Sequence, residues 1–400
     1  HGTERCRLTL KARIPSGLAI AVGFWLAVTS TVQAQWITQS FSLKAGWNAI
    51  FSHVDASHTT LDQLIGSDPD HPVQEVWLWQ PQPATMQFIT TPQQPGGAGT
   101  PWVNWARGNT AAATFQRVIA NAAYLVRVSS NVTTFTWGIK GKPVPPRYQW
   151  TSTGLNFIGF PTTTTSPPDF ETFLAPAPEL KRGAEIFQYL GGDLGPNNPS
   201  RLFAMRTTPV TRGEAFWVRS GGVFNRYFGP FDTDLQNPAG VNFRDDLSQN
   251  RLRLRNLHAG PLTVTMQWVN SEAAPSGQPS IVQAPPLLVR GELNMTNLTY
   301  ASTNLSSGPR SWTLAAQGQI GSEVEVVIGV DRSQMTAAAG SLYGGILRLT
   351  DSLNLSQVDV PVSAVAGSTA GLWVGSASVN QVQHYLKAYQ KDGDGKPVVG

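Results

Sequence analysis

An internal repeat constrains the fold of this chain more than any other feature of its sequence. Five markers occur twice in the same order: a glycine–asparagine strand, a short helical signature, an aromatic strand, a strand ending in arginine, and an aromatic–glycine pair. The first set lies at residues 46–50, 60–66, 76–79, 123–127 and 137–138, and the second at residues 154–158, 166–174, 186–189, 215–219 and 228–229. We therefore predict two tandem copies of one small unit.

The two copies differ in length. Gly46 and Tyr124 are 78 residues apart, whereas Gly154 and Phe216 are 62 residues apart. The excess coincides with a run rich in proline and glycine at residues 92–108. Because such residues favour turns over regular elements, we predict a long loop on the first copy.

Within each copy, apolar residues alternate with others, as at Tyr124, Val126 and Val128, and turn residues bound the segments. Alternation of this period indicates strands with one buried face. The helical signature is too short to connect parallel strands. We therefore expect mainly antiparallel sheets, closed as a small barrel or sandwich with one short helix in each copy.

Beyond residue 241, short strand patterns follow at the spacing of immunoglobulin-like sandwiches. We predict an all-β protein and divide it as follows: signal peptide 1–34, first repeat 35–146, second repeat 147–236, immunoglobulin-like sandwich 241–366, and the start of a further β module 371–400. The chain begins at His1 and ends in a strand-like pattern, so we expect it to belong to a longer protein.

The first 34 residues have the three parts of a secretory signal. Four basic residues at 5–13 form a positive region, eleven apolar residues follow at 18–28, and small residues at 32–34 suit a signal peptidase. A membrane span needs about 20 apolar residues, so we expect none here. We predict cleavage between Ala34 and Gln35 and a secreted or cell-surface location.

Charge and cysteine usage exclude two function classes. The chain has 29 basic and 25 acidic residues, and loss of the leader leaves 25 against 24. This balance provides no basic surface for nucleic acid. Cys6, the one cysteine, lies in the leader, so the mature chain can form neither a disulfide nor a thiolate metal site.

The repeated residues resemble a known family. The Gly-Trp-Asn at 46–48, the short helix, the aromatic strand and the Gly-Glu-Ala-Phe-Trp-Val at 213–218 are similar to a small GWN-type β repeat. Large secreted or surface-attached bacterial proteins carry such repeats in tandem, often followed by immunoglobulin-like modules. Leu155 replaces the tryptophan in the second copy, and the first copy lacks the glycine of the second motif. The resemblance covers residues 36–234 and implies architecture and location, without active-site residues.

Two groups of side chains have the chemistry of metal ligands. His53, Asp55 and His58 lie close together, and Asp392 and Asp394 alternate with glycines as in a calcium loop. The two histidines share no helix face, and the aspartates lack the downstream acidic ligand. We interpret the first group as a polar loop and the second as a hairpin turn, and expect no metal and no cofactor. Calcium at the two aspartates stays open as the alternative.

Most tryptophans lie on predicted strands and are expected in the core. Trp102 and Trp105 lie in the predicted loop instead, next to Arg107, and these three are the candidate ligand-binding residues. Aromatic faces contact apolar faces of ligands such as sugars, so extracellular glycans or cell-surface components are the expected partners. The alternative is that both rings pack over the mouth of the barrel.

No nucleophile elbow, Walker loop, dinucleotide fingerprint or zinc-protease motif occurs in the sequence. The sequence therefore favours an extracellular structural or adhesive multidomain protein without catalytic activity in this chain. The alternative is a non-catalytic, glycan-binding front end of a larger polysaccharide-degrading enzyme. A third hypothesis is a hydrolase whose carboxylates come together from distant residues.

Overall fold

The computed structural model describes residues 35–80, 89–96, 101–147, 150–151, 154–220 and 227–367, together with the strand residues 372–373, 389–391 and 397–399. The predicted signal peptide lies outside the described residues, as do Asp392 and Asp394. Most described elements are strands, and most pair antiparallel, so the predicted all-β class is confirmed. No helix within these ranges is long and apolar enough to span a membrane. The domain boundaries and the immunoglobulin-like assignment stay predictions.

The first repeat is built from two sheets. Its strands are β1 (Ile37–Lys44), β2 (Gly46–Ser52), β3 (Val54–Asp55), β4 (Val73–Trp79), β5 (Trp102–Ala106), β6 (Ala122–Val128) and β7 (Thr134–Pro143). One sheet has the order β1-β7-β3 and the other β2-β6-β4-β5. Apolar side chains from both, among them Phe41, Ile50, Tyr124 and Trp137, form a core. Strand β1 alternates buried and exposed residues, as the two-residue period of a half-buried strand requires.

The connection between β1 and β2 depends on the Gly-Trp-Asn marker. Gly46 has a φ of +84°, and a Cβ there would lie 2.3 Å from the Gly192 carbonyl oxygen, so only glycine fits. The Asn48 side chain accepts a hydrogen bond from the Lys44 N–H at 2.8 Å and donates one to the Lys44 carbonyl oxygen at 2.7 Å. Asn48 therefore supplies the backbone partners that Lys44 lacks at the edge of the sheet.

A short π-helical turn, Asp62–Gly66, follows β3 and buries Ile65. Thr60, which precedes the turn, and Gln63, which lies within it, form two reciprocal hydrogen bonds. The Gln63 N–H donates to Thr60 Oγ1 at 3.2 Å, and the Thr60 N–H donates to Gln63 Oε1 at 3.0 Å. This is the capping-box arrangement, which satisfies backbone donors that have no partner inside the turn.

The second repeat repeats the four-stranded sheet. Its strands are β8 (Asn156–Ile158), β9 (Glu185–Gln188), β10 (Ser200–Arg201) and β11 (Phe216–Arg219), in the order β10-β9-β11-β8. When both sheets are followed from the glycine–asparagine strand, the order β8-β11-β9-β10 corresponds to the order β2-β6-β4-β5 of the first repeat. Asp169 caps the N-terminus of helix α1 (Phe170–Phe173), and its carboxylate accepts from the Thr172 N–H at 2.8 Å. The sequence predicts one helix here, and the structure adds α2 (Pro178–Lys181), which begins with a proline suited to a first turn.

Eleven strands form a β-sandwich: β12 (Phe231–Leu235), β13 (Val241–Asn242), β14 (Gln249–Asn256), β15 (Leu262–Asn270), β16 (Ile281–Gln283), β17 (Leu287–Asn294), β18 (Thr299–Asn304), β19 (Arg310–Leu314), β20 (Glu323–Val330), β21 (Leu342–Asp351) and β22 (Gln357–Val365). One sheet has the order β12-β14-β20-β17-β18, and the other has the order β13-β22-β21-β15-β19 with β16 paired to β21. Residues of both sheets, such as Leu254, Ile328, Met266 and Val360, share one core. Two pairings are parallel, β13 with β22 and β16 with β21. Beyond the sandwich, β23 (Leu372–Trp373), β24 (Tyr389–Lys391) and β25 (Pro397–Val399) pair with one another.

Strand β12 lies within residues 147–236, which the sequence predicts as the second repeat, and it pairs with a strand of the sandwich. Phe231 lies opposite Asn256 of β14 and belongs to the sandwich core. The sequence of a short strand indicates that it pairs, but not with which module, because cross-strand packing decides the partner.

Candidate functional site

A cavity of about 610 Å³ lies where the first repeat, the second repeat and the sandwich meet, and we call it the junction cavity. Strand β1, residues 211–215 of the second repeat, and strands β21 and β22 contribute to its walls. Six of the polar side chains that line it are Gln39, His53, Arg212, Glu214, Arg348 and Asp359.

Asp359 lies on β22 with 2% of its side chain exposed. Arg348 Nε, on the neighbouring β21, donates to Asp359 Oδ1 at 2.8 Å, and Gln357 Nε2 donates to Oδ2 at 3.1 Å. A buried carboxylate needs such partners because its removal from water costs several kcal/mol. The sandwich itself therefore compensates the charge of Asp359.

Arg212 brings a second guanidinium to the same carboxylate from the second repeat. Its NH2 lies 3.5 Å from Asp359 Oδ2, and its NH1 donates to the carbonyl oxygens of Thr162 at 3.2 Å and Gln357 at 2.8 Å. Burial lowers the pKa of Arg212, and the charge of Asp359 opposes that shift. This buried ion pair connects the second repeat to the sandwich.

His53 connects the two repeats within the junction cavity. Its Nε2 lies 3.2 Å from the Phe160 carbonyl oxygen. Because a carbonyl oxygen can only accept, we assign the ring proton to Nε2. Burial, followed by the charge of Arg212, holds the pKa of His53 well below its ordinary value. The ring is therefore neutral at pH 7.

Gln39 of β1 fixes the backbone around His53. Its Oε1 accepts from the His53 N–H at 2.8 Å, and its Nε2 donates to the Phe51 carbonyl oxygen at 2.9 Å. The amide thus satisfies one donor and one acceptor in a buried place. The position of His53 follows from these two bonds.

Glu214 is an acidic side chain that the second repeat contributes to this cavity. Burial raises its pKa, and the hydrogen bond that Gln188 Nε2 donates to Glu214 Oε2 at 3.0 Å acts in the opposite direction. A buried carboxyl with a raised pKa can serve as a general acid or base when it can reach a substrate proton. Its side-chain hydrogen bond among the described residues goes to an amide, which is neither a nucleophile nor a base.

Glu272 lines the cavity on the sandwich side. Its carboxylate accepts from the Thr38 N–H at 2.8 Å and the Thr38 hydroxyl at 2.7 Å, and Lys140 Nζ lies 3.2 Å away. Burial alone would raise the pKa of Glu272, but the bonds from Thr38 and Lys140 outweigh it and lower the pKa. The sandwich is thereby bonded to both β1 and β7.

The structure corrects the predicted loop at residues 92–108, because Trp102 and Trp105 lie on strand β5. Trp102 is 7% exposed and Trp105 is 1% exposed. The Trp105 ring belongs to the core of the first repeat, and its Nε1 donates to Asp62 Oδ1 at 2.8 Å. The Trp102 ring lies 4.9 Å from the Trp79 ring and 5.8 Å from the Phe157 ring.

Arg107 follows β5 and points back toward the π-helical turn. Its guanidinium donates to the carbonyl oxygens of Ile65 at 3.3 Å, His71 at 2.7 Å and Val73 at 3.2 Å. Arg107 thus holds the connection between the π-helical turn and β4. Ligand binding by Trp102, Trp105 and Arg107 stays a prediction, and all three side chains have structural contacts within the first repeat or at its boundary.

The side chains of His53, Asp55 and His58 do not come together as one group. The His58 ring packs edge-on against Trp36, with 4.8 Å between the centroids, and Asp55 Oδ1 accepts from the Ser57 N–H at 2.8 Å. Within the described ranges, no three His, Cys, Asp or Glu side chains form a group that could hold a metal ion.

Arg212 and Asp359 are not among the site residues predicted from the sequence. Asp359 does carry a signal, because it stands between Val358 and Val360 in an apolar strand, and a buried charge there requires a partner. Nothing near Arg212 in the sequence identifies it as that partner. The pair is set by how two modules dock, which a local pattern does not encode.

Comparisons with known proteins give no family. No protein-family profile matches the chain, and no curated protein matches it. Among solved structures, the CupB6 tip adhesin from Pseudomonas aeruginosa is similar over 84% of this chain and 92% of its own, with 9% identity and a TM-score of 0.19. Allantoicase is similar over 84% of this chain and 78% of its own, with 9% identity and a TM-score of 0.14. Scores this low do not establish a shared fold.

Proposed function

We propose that this chain is a non-catalytic part of an extracellular structural or adhesive protein whose β modules are locked into one body. The observation that carries the proposal is an aromatic core shared by the two repeats. The Trp217 ring lies 5.0 Å from Trp79 of the first repeat and stacks on Phe157 at 4.6 Å. Trp102 completes this cluster from β5.

Backbone hydrogen bonds support the same proposal. The Trp47 N–H donates to the Gly192 carbonyl oxygen and the Phe51 N–H to the Gly213 carbonyl oxygen, both at 2.8 Å. The second repeat thus covers the free edge of β2, which would otherwise be open to other chains. Leu355 of the sandwich also enters the shared core.

A shared apolar core distinguishes this chain from flexibly linked modules. Modules joined by small polar interfaces move relative to each other by default, whereas large apolar contacts prevent such motion. A body without internal hinges transmits force and presents a fixed surface, which suits a stalk or an adhesive module. The signal-like leader and the resemblance to GWN-type repeats support placing it outside the cell.

The test uses the chain expressed with its leader in a bacterium. We expect the product outside the cytoplasm with Gln35 as its first residue, measured by intact mass. Calorimetry of that product should give one transition whose calorimetric and van't Hoff enthalpies agree, since locked modules unfold together. Beads coated with it should be retained under flow on immobilised glycans or cell-surface material, with the heat-denatured product as the control.

Three results would count against the proposal. They are an exported product that keeps its leader, separate thermal transitions for the modules, and release of soluble sugars from a polysaccharide panel that is lost in a Glu214→Gln variant. The last result would favour the hydrolase hypothesis and would place its acid or base in the junction cavity.

A further inference from the structure

The hairpin of β17 and β18 projects from the sandwich. Its pairing with β20 runs from Leu287 to Val289, whereas β17 and β18 stay paired as far as Asn294 and Thr299. Residues 290–302 are all exposed. The outer half of the hairpin is therefore a two-stranded ribbon with solvent on both faces among the described residues. A ribbon of this kind is marginally stable on its own and gains stability from a partner.

The ribbon carries large apolar side chains near its tip. Met295 is 75% exposed, Tyr300 is 52% exposed and Leu298 is 51% exposed. The Arg290 guanidinium lies 4.5 Å from the Tyr300 ring centroid and holds that ring against the ribbon. Apolar side chains grouped on one projecting element are typical of a contact surface.

Among the residues that the structure describes, strand β18 is an edge strand without the protection seen at other edges. The edge of β2 is bonded to Gly192 and Gly213, and β5 is bonded by the Thr114 N–H. Strand β12 carries Asp232 and Asp234, whose like charges oppose pairing with a copy of itself. Strand β18 reads Thr-Tyr-Ala-Ser-Thr-Asn, with neither charge nor proline. Nothing in its sequence prevents the addition of another strand.

The alternation of backbone hydrogen bonds identifies the free groups of β18. The Asp331 N–H donates to the Pro286 carbonyl oxygen at 2.9 Å, which makes them a hydrogen-bonded pair. Successive antiparallel pairs alternate between bonded and non-bonded. By this alternation, Val289 of β17 is not bonded to β20 and is instead bonded to its partner Thr303 on β18. Ser302 is the next residue of β18, so its N–H and C=O point to the free edge.

We propose that β18 pairs antiparallel with β18 of a second copy of this chain, across a two-fold axis at Ser302. A two-fold axis perpendicular to the sheet places Ser302 opposite the partner subunit's Ser302, where the two residues exchange N–H···O=C bonds. The uncharged strand sets no like charges opposite each other. Each apolar tip then lies beside the base of the other ribbon and loses exposure, and the aspartates of β12 keep the far edge from extending the assembly.

The first test is Ser302→Glu, followed by sedimentation velocity over a wide range of protein concentrations. Within one chain the new carboxylate lies opposite Arg290, which favours the ribbon, but across the axis it lies opposite its own copy, which opposes the dimer. The unchanged chain should convert from monomer to dimer as its concentration rises. The variant should need at least about tenfold more protein to do so. Ser276→Glu, an exposed loop position with the same change of charge, should dimerise like the unchanged chain.

The second test is Ser302→Cys in a Cys6→Ser background, so that the new thiol is the one thiol in the chain. Hydrogen-bonded antiparallel residues have Cα atoms about 5.5 Å apart, within reach of a disulfide. Mild oxidation should give a covalent dimer, whereas Ser276→Cys in the same background should give none. A chain that stays monomeric at every concentration, or a dimer that Ser302→Glu leaves unchanged, overturns the proposal.

Discussion

The two repeats share one sheet and differ in how that sheet is closed. Ile50 lies opposite Tyr124 in the first repeat, as Ile158 lies opposite Phe216 in the second. In both copies, the asparagine two residues before the isoleucine donates hydrogen bonds to carbonyl oxygens a few residues earlier in the sequence. Asn156 donates to Thr151 and Gly154, and Asn48 donates to Lys44 and Gly46. The repeated sequence markers therefore specify backbone bonds and register.

The closure of the two sheets is different. The first repeat covers one face of its sheet with β1, β7 and β3 and has its own core. The second has no corresponding second sheet among the described residues and packs on the first repeat. Ala49 and Leu125 of the first repeat belong to the same core as Phe157 and Trp217, which occupy the corresponding positions of the second. The second repeat therefore completes its core with side chains of the first.

Truncation of core tryptophans should have the largest effect and is the direct way to break this comparison. Trp217→Ala removes a fully buried ring from the shared core, and Trp105→Ala removes one from the core of the first repeat. Each should lower the free energy of unfolding by about 3 to 5 kcal/mol, measured by urea denaturation. Trp47→Ala, at a partly buried position, is the matched control and should cost less. A Trp217→Ala loss within about 0.5 kcal/mol would mean that the second repeat does not depend on the shared core.

Much of the sheet in each repeat could be predicted because its signals are local. Strand alternation, the Gly-Trp-Asn turn and the Thr60 capping residue all act within a few positions of the chain. Strand β5 was missed because Trp102 and Trp105 follow a run of prolines and glycines that indicates a loop, and five residues are too few to outweigh it.

The junction cavity could not be predicted because its parts come from three modules. Arg212 and Asp359 are far apart in the sequence, and the local pattern around Asp359 does not identify Arg212 as its partner. The burial of both depends on docking, which local propensity does not report. The burial of Trp102 depends on docking as well, because its ring lies 5.8 Å from Phe157 and 6.5 Å from Trp217, both of the second repeat.

Removal of the asparagine bonds should have the next largest effect. Asn156→Ala and Asn48→Ala should each lower the free energy of unfolding by about 1 to 3 kcal/mol, because backbone groups lose their partners in a buried place. Asn156 is 0% exposed and also donates to the Val218 carbonyl oxygen at 3.2 Å, so its loss should be the larger. Asn131→Ala, at an exposed turn of the first repeat, is the control. Equal, small losses in all three variants would show that the shared bonds do not specify the sheet.

A pH effect should distinguish the copies at His53, whose counterpart in the second repeat is Pro161 by alignment of the asparagine strands. Burial lowers the pKa of His53, so the unfolded chain binds a proton more readily than the folded chain. Stability that His53 contributes is present above the ordinary histidine pKa of about 6.5 and is lost as the pH falls below it. His53→Gln should flatten that loss in urea denaturation at stepped pH. The same slope in both proteins would contradict the assignment of a buried neutral ring.

The smallest effect concerns a cross-strand ion pair that occurs in both copies. The second donor to its glutamate differs between them. Glu75 bonds Arg127, and Glu185 bonds Arg219 at the corresponding place. The second oxygen of Glu75 accepts from Trp77 Nε1 at 2.9 Å, but the second repeat has Phe187 at that position, which cannot donate.

Arg201 replaces the missing indole donor, with its NH2 2.9 Å from Glu185 Oε1. Because these groups are partly exposed, Glu75→Gln and Glu185→Gln should each cost about 0 to 1 kcal/mol in unfolding free energy. Glu185 is held by two cations and Glu75 by one cation and a neutral donor. Added salt should therefore reduce the cost of Glu185→Gln more than that of Glu75→Gln, since screening weakens charge pairs more than neutral hydrogen bonds. Equal salt dependence in the two variants would mean that Arg201 does not replace the indole in solution.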